Sequence, residues 1–386
     1  MNKLLLGTTA LVGASLLLAG PVDAAKPKVK VNGSIVVELG GSSQDLETFQ
    51  DSAGATTAGP NRGYAINTNS EIHINVSGKT DAGMKWKARV EFETDTNVAS
   101  QAKESSIDEL WIRFSGSWGQ IHLGNEDGAE DLMHFSGEQA VKKAGAGGVD
   151  GHWDDFVGWR EVNSRFAHEP TLTEDSSDGT KISYFTPRIG GLQVGASFTP
   201  DTGAAGQAFT TDNNGDFENT WGLGVNYKKK FGGVKVGIAG VAHIGEAEPE
   251  GPNDDTLEDL RAWMVGFNLE YGNWKFGAGY QDNGDGGQAK STVGDDDSRA
   301  WDVGLGYAAG PLHLGVSWLH AEVDDPGGAD ANDEDEGDTV NVGATYMLGG
   351  GARVYAEVFW FDTESGDSHP TNNDGFGFIL GTGVKF

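Results

Sequence analysis

From Lys85 to Glu93 the chain alternates without a slip: Trp86, Ala88, Val90 and Phe92 fall between Lys85, Lys87, Arg89, Glu91 and Glu93. A period of two puts the two sets on opposite faces of a β-strand. The pattern recurs along the chain. In 28–40, Val29, Val31, Ile35, Val37 and Leu39 oppose Lys28, Lys30, Asn32, Ser34 and Glu38, and in 64–79 Ile66, Ile72, Ile74 and Val76 oppose Asn67, Asn69, Glu71, His73 and Asn75. Shorter runs follow at 107–115 and 120–124, and paired runs fill the chain from 179 to the final residue, Phe386, for sixteen segments in all. Their connections alternate between tight turns such as Gly232-Gly233 and longer polar loops with acidic runs such as Asp295-Asp296-Asp297 and Asp333-Glu334-Asp335-Glu336. An even count with short turns at one end and long loops at the other predicts an all-β fold, a transmembrane antiparallel β-barrel of sixteen strands.

A β-sandwich or a lectin-like secreted binder also alternates, but its apolar face must form a core. Sixteen strands would then need several domains, and no linker divides the chain. The outward faces carry aromatics near strand ends: Trp221 and Tyr227, Trp263 and Tyr271, Trp274 and Tyr280, Trp301 and Tyr307. Such rings suit the two interfaces of a bilayer. The inward faces hold many glycines, among them Gly277, Gly279, Gly304 and Gly306, which suit a lumen that side chains do not fill. The outward faces of the first two strands lack aromatics, and this wall, with Ile35 and Ile74, is the expected subunit contact.

The N-terminus reads as an export signal over 1–24: Lys3 is the positive charge, 4–18 the apolar core and Val22-Asp23-Ala24 the small-residue cleavage site, leaving 25–386 as the barrel. The net charge of −31 excludes nucleic acid as a partner, because phosphate binding needs a basic face. The absence of cysteine excludes thiol catalysis and thiolate metal sites. The nine histidines form neither a His-Glu-x-x-His nor a hydrolase signature, so no enzyme is expected. No cofactor is expected either. The acidic loops offer oxygens to Ca²⁺, but without EF-hand spacing solvated loops are the better reading.

One stretch, 125–178, drops the alternation. It carries Glu126, Asp127, Glu130, Asp131, Asp150, Asp154 and Asp155, with Trp153, Phe156 and Trp159 interleaved. A connection this long inside a compact fold is a functional loop, and it is expected to fold into the barrel mouth and narrow the pore.

With the signal segment, the sixteen-strand rhythm, the acidic stretch opening Gly124-Asn125-Glu126-Asp127-Gly128 and the terminal Phe386, the chain resembles the general diffusion porins of Gram-negative outer membranes, α-proteobacterial type. The resemblance implies a homotrimer in outer-membrane lipid and lipopolysaccharide, assembled by machinery that reads Phe386, with a third loop folded inward. It also implies carboxylates on that loop facing basic groups on the wall. The wall candidates are Lys85, Lys87, Arg89 and Arg113, with Lys28, Lys30 and Arg353 brought near by barrel closure. The implied activity is passive diffusion of small hydrophilic solutes and ions, mildly cation-selective from the carboxylate excess. The alternative is a solute-specific channel, for example for a sugar or oligosaccharide, with saturable binding.

Overall fold

The computed structural model describes residues 26–44, 48–50, 56–58, 63–93, 107–145, 153, 156–157, 170–172, 175–203, 206, 217–248, 257–290, 297–325, 333–364 and 372–386. The expected signal over 1–24 lies outside them. Sixteen strands close into one antiparallel barrel. They are β1 (Lys28–Gln44), β4 (Ala65–Lys79), β5 (Lys85–Glu93), β6 (Ile107–Gly116), β7 (Gly119–Asn125), β8 (Thr180–Phe185), β9 (Leu192–Asp201), β10 (Phe217–Phe231), β11 (Val234–Ala247), β12 (Leu260–Tyr271), β13 (Trp274–Gly284), β14 (Ser298–Ala309), β15 (Leu312–Asp325), β16 (Asp333–Gly349), β17 (Ala352–Glu364) and β18 (Asn373–Lys385). Two further strands, β2 (Thr48–Gln50) and β3 (Thr56–Ala58), pair as a hairpin in a connection the sequence presents only as polar.

Closure joins the first and last strands, from Ser34 opposite Lys385 to Gln44 opposite Gly375. Phe386 completes the seam: its N–H donates to the Gly33 carbonyl and its carbonyl accepts from the Gly33 N–H, both at 3.0 Å. A closed barrel has no free edge, so every ladder group can be paired inside hydrocarbon. At one end, two-residue turns join β10 to β11, β12 to β13 and β14 to β15. Gly272 and Gly310 there have φ of +59° and +61°, the left-handed conformation such turns require. The long connections all lie at the other end. The acidic run Asp333 to Glu336, expected as loop, instead extends β16 and pairs with β15. Strands that project beyond the bilayer keep their hydrogen-bond ladder without an apolar face, so the alternation signal fades before the strand ends.

The outward face is apolar and exposed: Val29, Val31, Ile35, Ile66, Leu223, Val265, Val358 and Leu380 all face away from the barrel. A belt of this extent in water would be a severe liability; hydrocarbon removes the cost. Aromatic pairs rim both edges of the belt. Trp274 and Tyr307, with centroids 4.6 Å apart, sit at the turn end. Trp263 and Tyr280 (5.5 Å) and Trp301 and Trp318 (4.4 Å) sit at the loop end. The faces of β1 and β4 carry no outward aromatic between Val29 and Leu39 or Ile66 and Val76.

Candidate functional site: the lumen and its lining

The segment after β7 lies against the inner wall of the barrel. It holds two one-turn helices, α1 (Ala129–Leu132) and α2 (Glu138–Val141), too short to stand without tertiary partners. Inward-facing polar side chains from successive strands take up its backbone groups. The Ala129 N–H donates to Ser197 Oγ (2.7 Å), Asn226 Nδ2 to the Met133 carbonyl (3.1 Å) and Asn268 Nδ2 to the Ser136 carbonyl (2.9 Å). Asp302 Oδ2 accepts the Glu138 N–H at 2.8 Å, and Lys275 Nζ donates to the Gln139 carbonyl. Buried backbone groups need such partners.

The inward glycines lie beneath this segment, which corrects their reading as markers of an unfilled lumen. A Cβ at Gly277 would stand 2.5 Å from the Ser136 carbonyl oxygen, and one at Gly224 2.8 Å from that of Ala129. One at Gly237 would stand 2.6 Å from the Phe135 ring, and those at Gly266, Gly304 and Gly306 would collide with the carbonyls of Phe135, Gly137 and Ala140. These glycines form a track that lets the backbone of 129–141 approach the wall. Farther along, Trp153, Phe156 and Val157 pack with Phe359, Phe361 and Ile379, and Ser42 Oγ donates to the Phe156 carbonyl at 2.5 Å. The described parts of the segment therefore lie against the wall near β7 and again near β17, β18 and β1.

The acidic residues of the segment have separate surroundings. Glu126 accepts from Arg113 Nη2 at 2.8 Å and lies 2.7 Å from His122 Nδ1. Glu130, 1% exposed, accepts from the Ser176 N–H at 3.2 Å. Asp127, Asp131, Asp175 and Asp178 crowd together. Burial, then the charges of Asp131, Asp175 and Asp178, push Asp127 up to about 9, so it keeps its proton at neutral pH and hydrogen-bonds Asp131. Burial also acts to raise Asp131, but the hydrogen bond and charge of His134 outweigh it and hold the carboxyl below its usual range. Burial, followed by Asp131, lifts Asp175 to about 7, and burial followed by Asp108 lifts Asp178 to about 7. Asp150, Asp154 and Asp155 lie outside the described residues.

The basic wall on β5 and β6 is organised by a residue that sequence reasoning left without a role. Trp111, 3% exposed, has Arg113, Lys87 and Arg89 around its ring at 4.7, 5.0 and 5.8 Å from the centroid. Ring faces attract cations, so one indole helps hold three like charges together. Arg89 also pairs with Glu91 (2.6 Å) and Glu109 (2.9 Å). Lys28 joins Lys85, Lys87 and Arg113 around a cavity of about 590 Å³ at the turn end, with Lys26 and Lys79. Lys30 stands one level higher, opposite Asn75, which in turn faces Arg89.

Arg353 does not join this group, contrary to the expectation from closure. It lines a separate cavity of about 520 Å³ with Glu38, Glu71, Lys142, Lys143 and Glu357. Register explains it: Arg353 pairs through Gly383 with Val36, eight positions up β1 from Lys28. At this cavity the described part of the segment presents Lys142 and Lys143, and the wall presents Glu38, Glu71 and Glu357 together with Arg353 and Lys385. Lys181 was also missed. Its buried Nζ donates to the carbonyls of Glu126 (2.6 Å) and Ser176 (3.3 Å), tying the two ends of the segment to β8.

A closed barrel with an apolar belt outside and a charged interior along which a segment of chain is laid defines an outer-membrane channel protein. A family profile described as Gram-negative porin matches residues 7–366, and the chain belongs to that family. Among solved structures of similar fold is an anion-selective porin from Comamonas acidovorans, with a TM-score of 0.60 and 15% identity over 94% of this chain and 100% of that one. Another is the trimer form of OmpT, an outer membrane protein of Vibrio cholerae, with the same TM-score, identity and coverage. An uncharacterised protein of Rickettsia felis is 21% identical over 458 aligned positions, spanning 100% of both chains.

Proposed function

We propose that this outer-membrane porin is a general diffusion channel with a mild cation preference, and that it is a channel and not an enzyme. The observation that carries the reading is the lumen lining. A cavity bordered by Glu38, Glu71, Glu357, Lys142, Lys143 and Arg353 lies beside the segment at 142–145. It is polar enough to stay wet, which ion passage requires. The segment narrows the water path, and carboxylates set against cations orient dipolar solutes across it. Charged groups of both signs at the cavity favour weak selectivity, and the overall charge of −31 tilts it toward cations. Among the described inward-facing aromatics, Trp111, Phe185, Phe359 and Phe361 are buried against neighbours, and Tyr355 stands singly at the cavity with its hydroxyl donating to Glu38, so they do not form an exposed row. That favours general diffusion over a saturable sugar channel.

The chain is exported by the signal at 1–24 and assembled through Phe386. It forms a homotrimer through the aromatic-free wall of β1 and β4, bordered by lipid and lipopolysaccharide elsewhere. A cysteine pair at Ile35 and Ile74 is expected to crosslink chains into dimers and trimers in membranes; monomers alone after oxidation would contradict the contact. Reversal potential in a tenfold salt gradient tests selectivity. A modest potential of cation sign, with current unaffected by millimolar oligosaccharides, is expected. An anion sign, or saturable block by a sugar, would overturn the respective half of the reading.

A further inference from the structure

His73 stands between two glutamates on the lumenal wall. Glu71 and His73 share the inward face of β4, and Glu91 lies directly opposite His73 across the β4–β5 ladder. The ring Nε2 is 2.9 Å from Glu71 Oε2 and 2.7 Å from Glu91 Oε1, and the three atoms all lie within 4.8 Å of one another. A ring nitrogen has at most one hydrogen to donate, yet two carboxylates converge on it.

The surroundings fix the geometry. Arg89 Nη1 holds the other oxygen of Glu91 at 2.6 Å and also contacts Glu109 Oε2, which accepts from Trp111 Nε1 at 2.8 Å. Glu91 is thus held with Oε1 directed at His73. Three glutamates, Glu71, Glu91 and Glu109, face one arginine, a formal excess of two negative charges when the imidazole is neutral. On the far side of the ring, Nδ1 lies 3.5 Å from the Asn32 amide, which bonds Asn75 at 2.8 Å. Oxygen and nitrogen of such amides are interchangeable assignments. With both amides turned, Asn32 offers its oxygen to an Nδ1–H and the Asn32–Asn75 bond is kept. That tautomer leaves the Nε2 lone pair facing the two carboxylates, the usual arrangement behind a metal-bound histidine.

We propose that Glu71, His73 and Glu91 bind one divalent transition-metal ion of the Zn²⁺ class, with lumen water completing its coordination. One imidazole and two carboxylates suit zinc, whereas Ca²⁺ takes oxygen ligands, six to eight of them. Zinc–ligand distances near 2.0–2.2 Å place tetrahedral neighbours about 3.3 Å apart. The imidazole must therefore draw back from both carboxylates by about half an ångström, toward the Asn32 amide that stands 3.5 Å from Nδ1. Glu71 also borders the cavity lined by Glu38 and Arg353, so the ion has a path from the lumen.

Calorimetric titration of ZnCl₂ into the folded full chain in detergent, stripped with EDTA and dialysed, tests the site without any measurement of current. One zinc per chain is expected, undisturbed by a tenfold excess of CaCl₂ and weakened tenfold or more in His73→Ala and Glu91→Gln. Resistance of the barrel to unfolding on a gel confirms that each variant is folded. Should either fail to fold, Glu71→Gln, at the more exposed ligand, carries the same expectation. No zinc binding to the wild type, binding unchanged in the variants, or displacement by calcium would each overturn the site.

Discussion

Lys181 and Arg113 show how single cations position a much longer piece of chain. Lys181 touches no carboxylate oxygen within bonding distance in its described contacts; it donates to carbonyls at both ends of the segment, near Glu126 and Ser176. Replacing it with methionine keeps the volume and leaves those carbonyls without a donor, at a cost of about 1–3 kcal/mol. Lys181→Met should lower the temperature at which the folded band converts to the unfolded band on a gel, and faster amide exchange at 129–141 should accompany it. Unchanged exchange would show that the ends are held by other contacts. Arg113→Ala should act similarly through Glu126, a buried carboxylate that would keep His122 as its close partner. Residues such as Lys181 are hard to find from sequence, because a lysine alternating with Ile182 looks like any inward-facing polar residue. Trp111 gave a clearer signal: among the described residues it is the one strand tryptophan that falls on the polar face, between Glu109 and Arg113.

At the scale of the element, the strands were legible and the segment was not. Alternation records a face in hydrocarbon and a face in water, and both conditions act locally on each of the sixteen barrel strands, but not on the β2–β3 hairpin outside the barrel. The path of 126–145 depends instead on Ser197, Asn226, Asn268 and Asp302, which lie on strands far along the chain. The glycines at 266, 277, 304 and 306 were visible, but nothing local told a backbone track from an empty lumen. Gly266→Leu should push Phe135 off the wall, changing open-channel current while the barrel still forms. Current and noise indistinguishable from wild type would mean the track is not needed. The aspartates make the packing of the segment pH-dependent. Asp127, Asp175 and Asp178 hold protons in the folded state well above the unfolded value of about 3.9. The stability linked to those protons is complete below that value and is lost as pH rises through about 7 for Asp175 and Asp178 and about 9 for Asp127. Amide exchange at 129–141, corrected for its intrinsic pH dependence, should therefore rise progressively from about pH 4 to about pH 9. Asp127→Asn should flatten the upper part of that rise; an unchanged profile would assign it to other groups.

The whole molecule is a ring of ribbons that turns its apolar side to lipid and its polar side inward, with a strip of chain laid along part of the inner wall. Sequence alone carried the barrel, its strand number and the sense of its faces, because these follow from period and turn length. It could not carry the distribution of charge inside. Register set Arg353 apart from Lys28, and local folding brought Lys142 and Lys143 to the cavity lined by Glu38, Glu71 and Glu357. The most direct test is to add the purified, folded chain to a planar lipid bilayer and record single-channel current against salt concentration. The account predicts discrete steps whose conductance rises in near proportion to bulk salt, as water-filled paths require. A folded barrel that inserts without passing current, or whose conductance saturates at low salt, would contradict it.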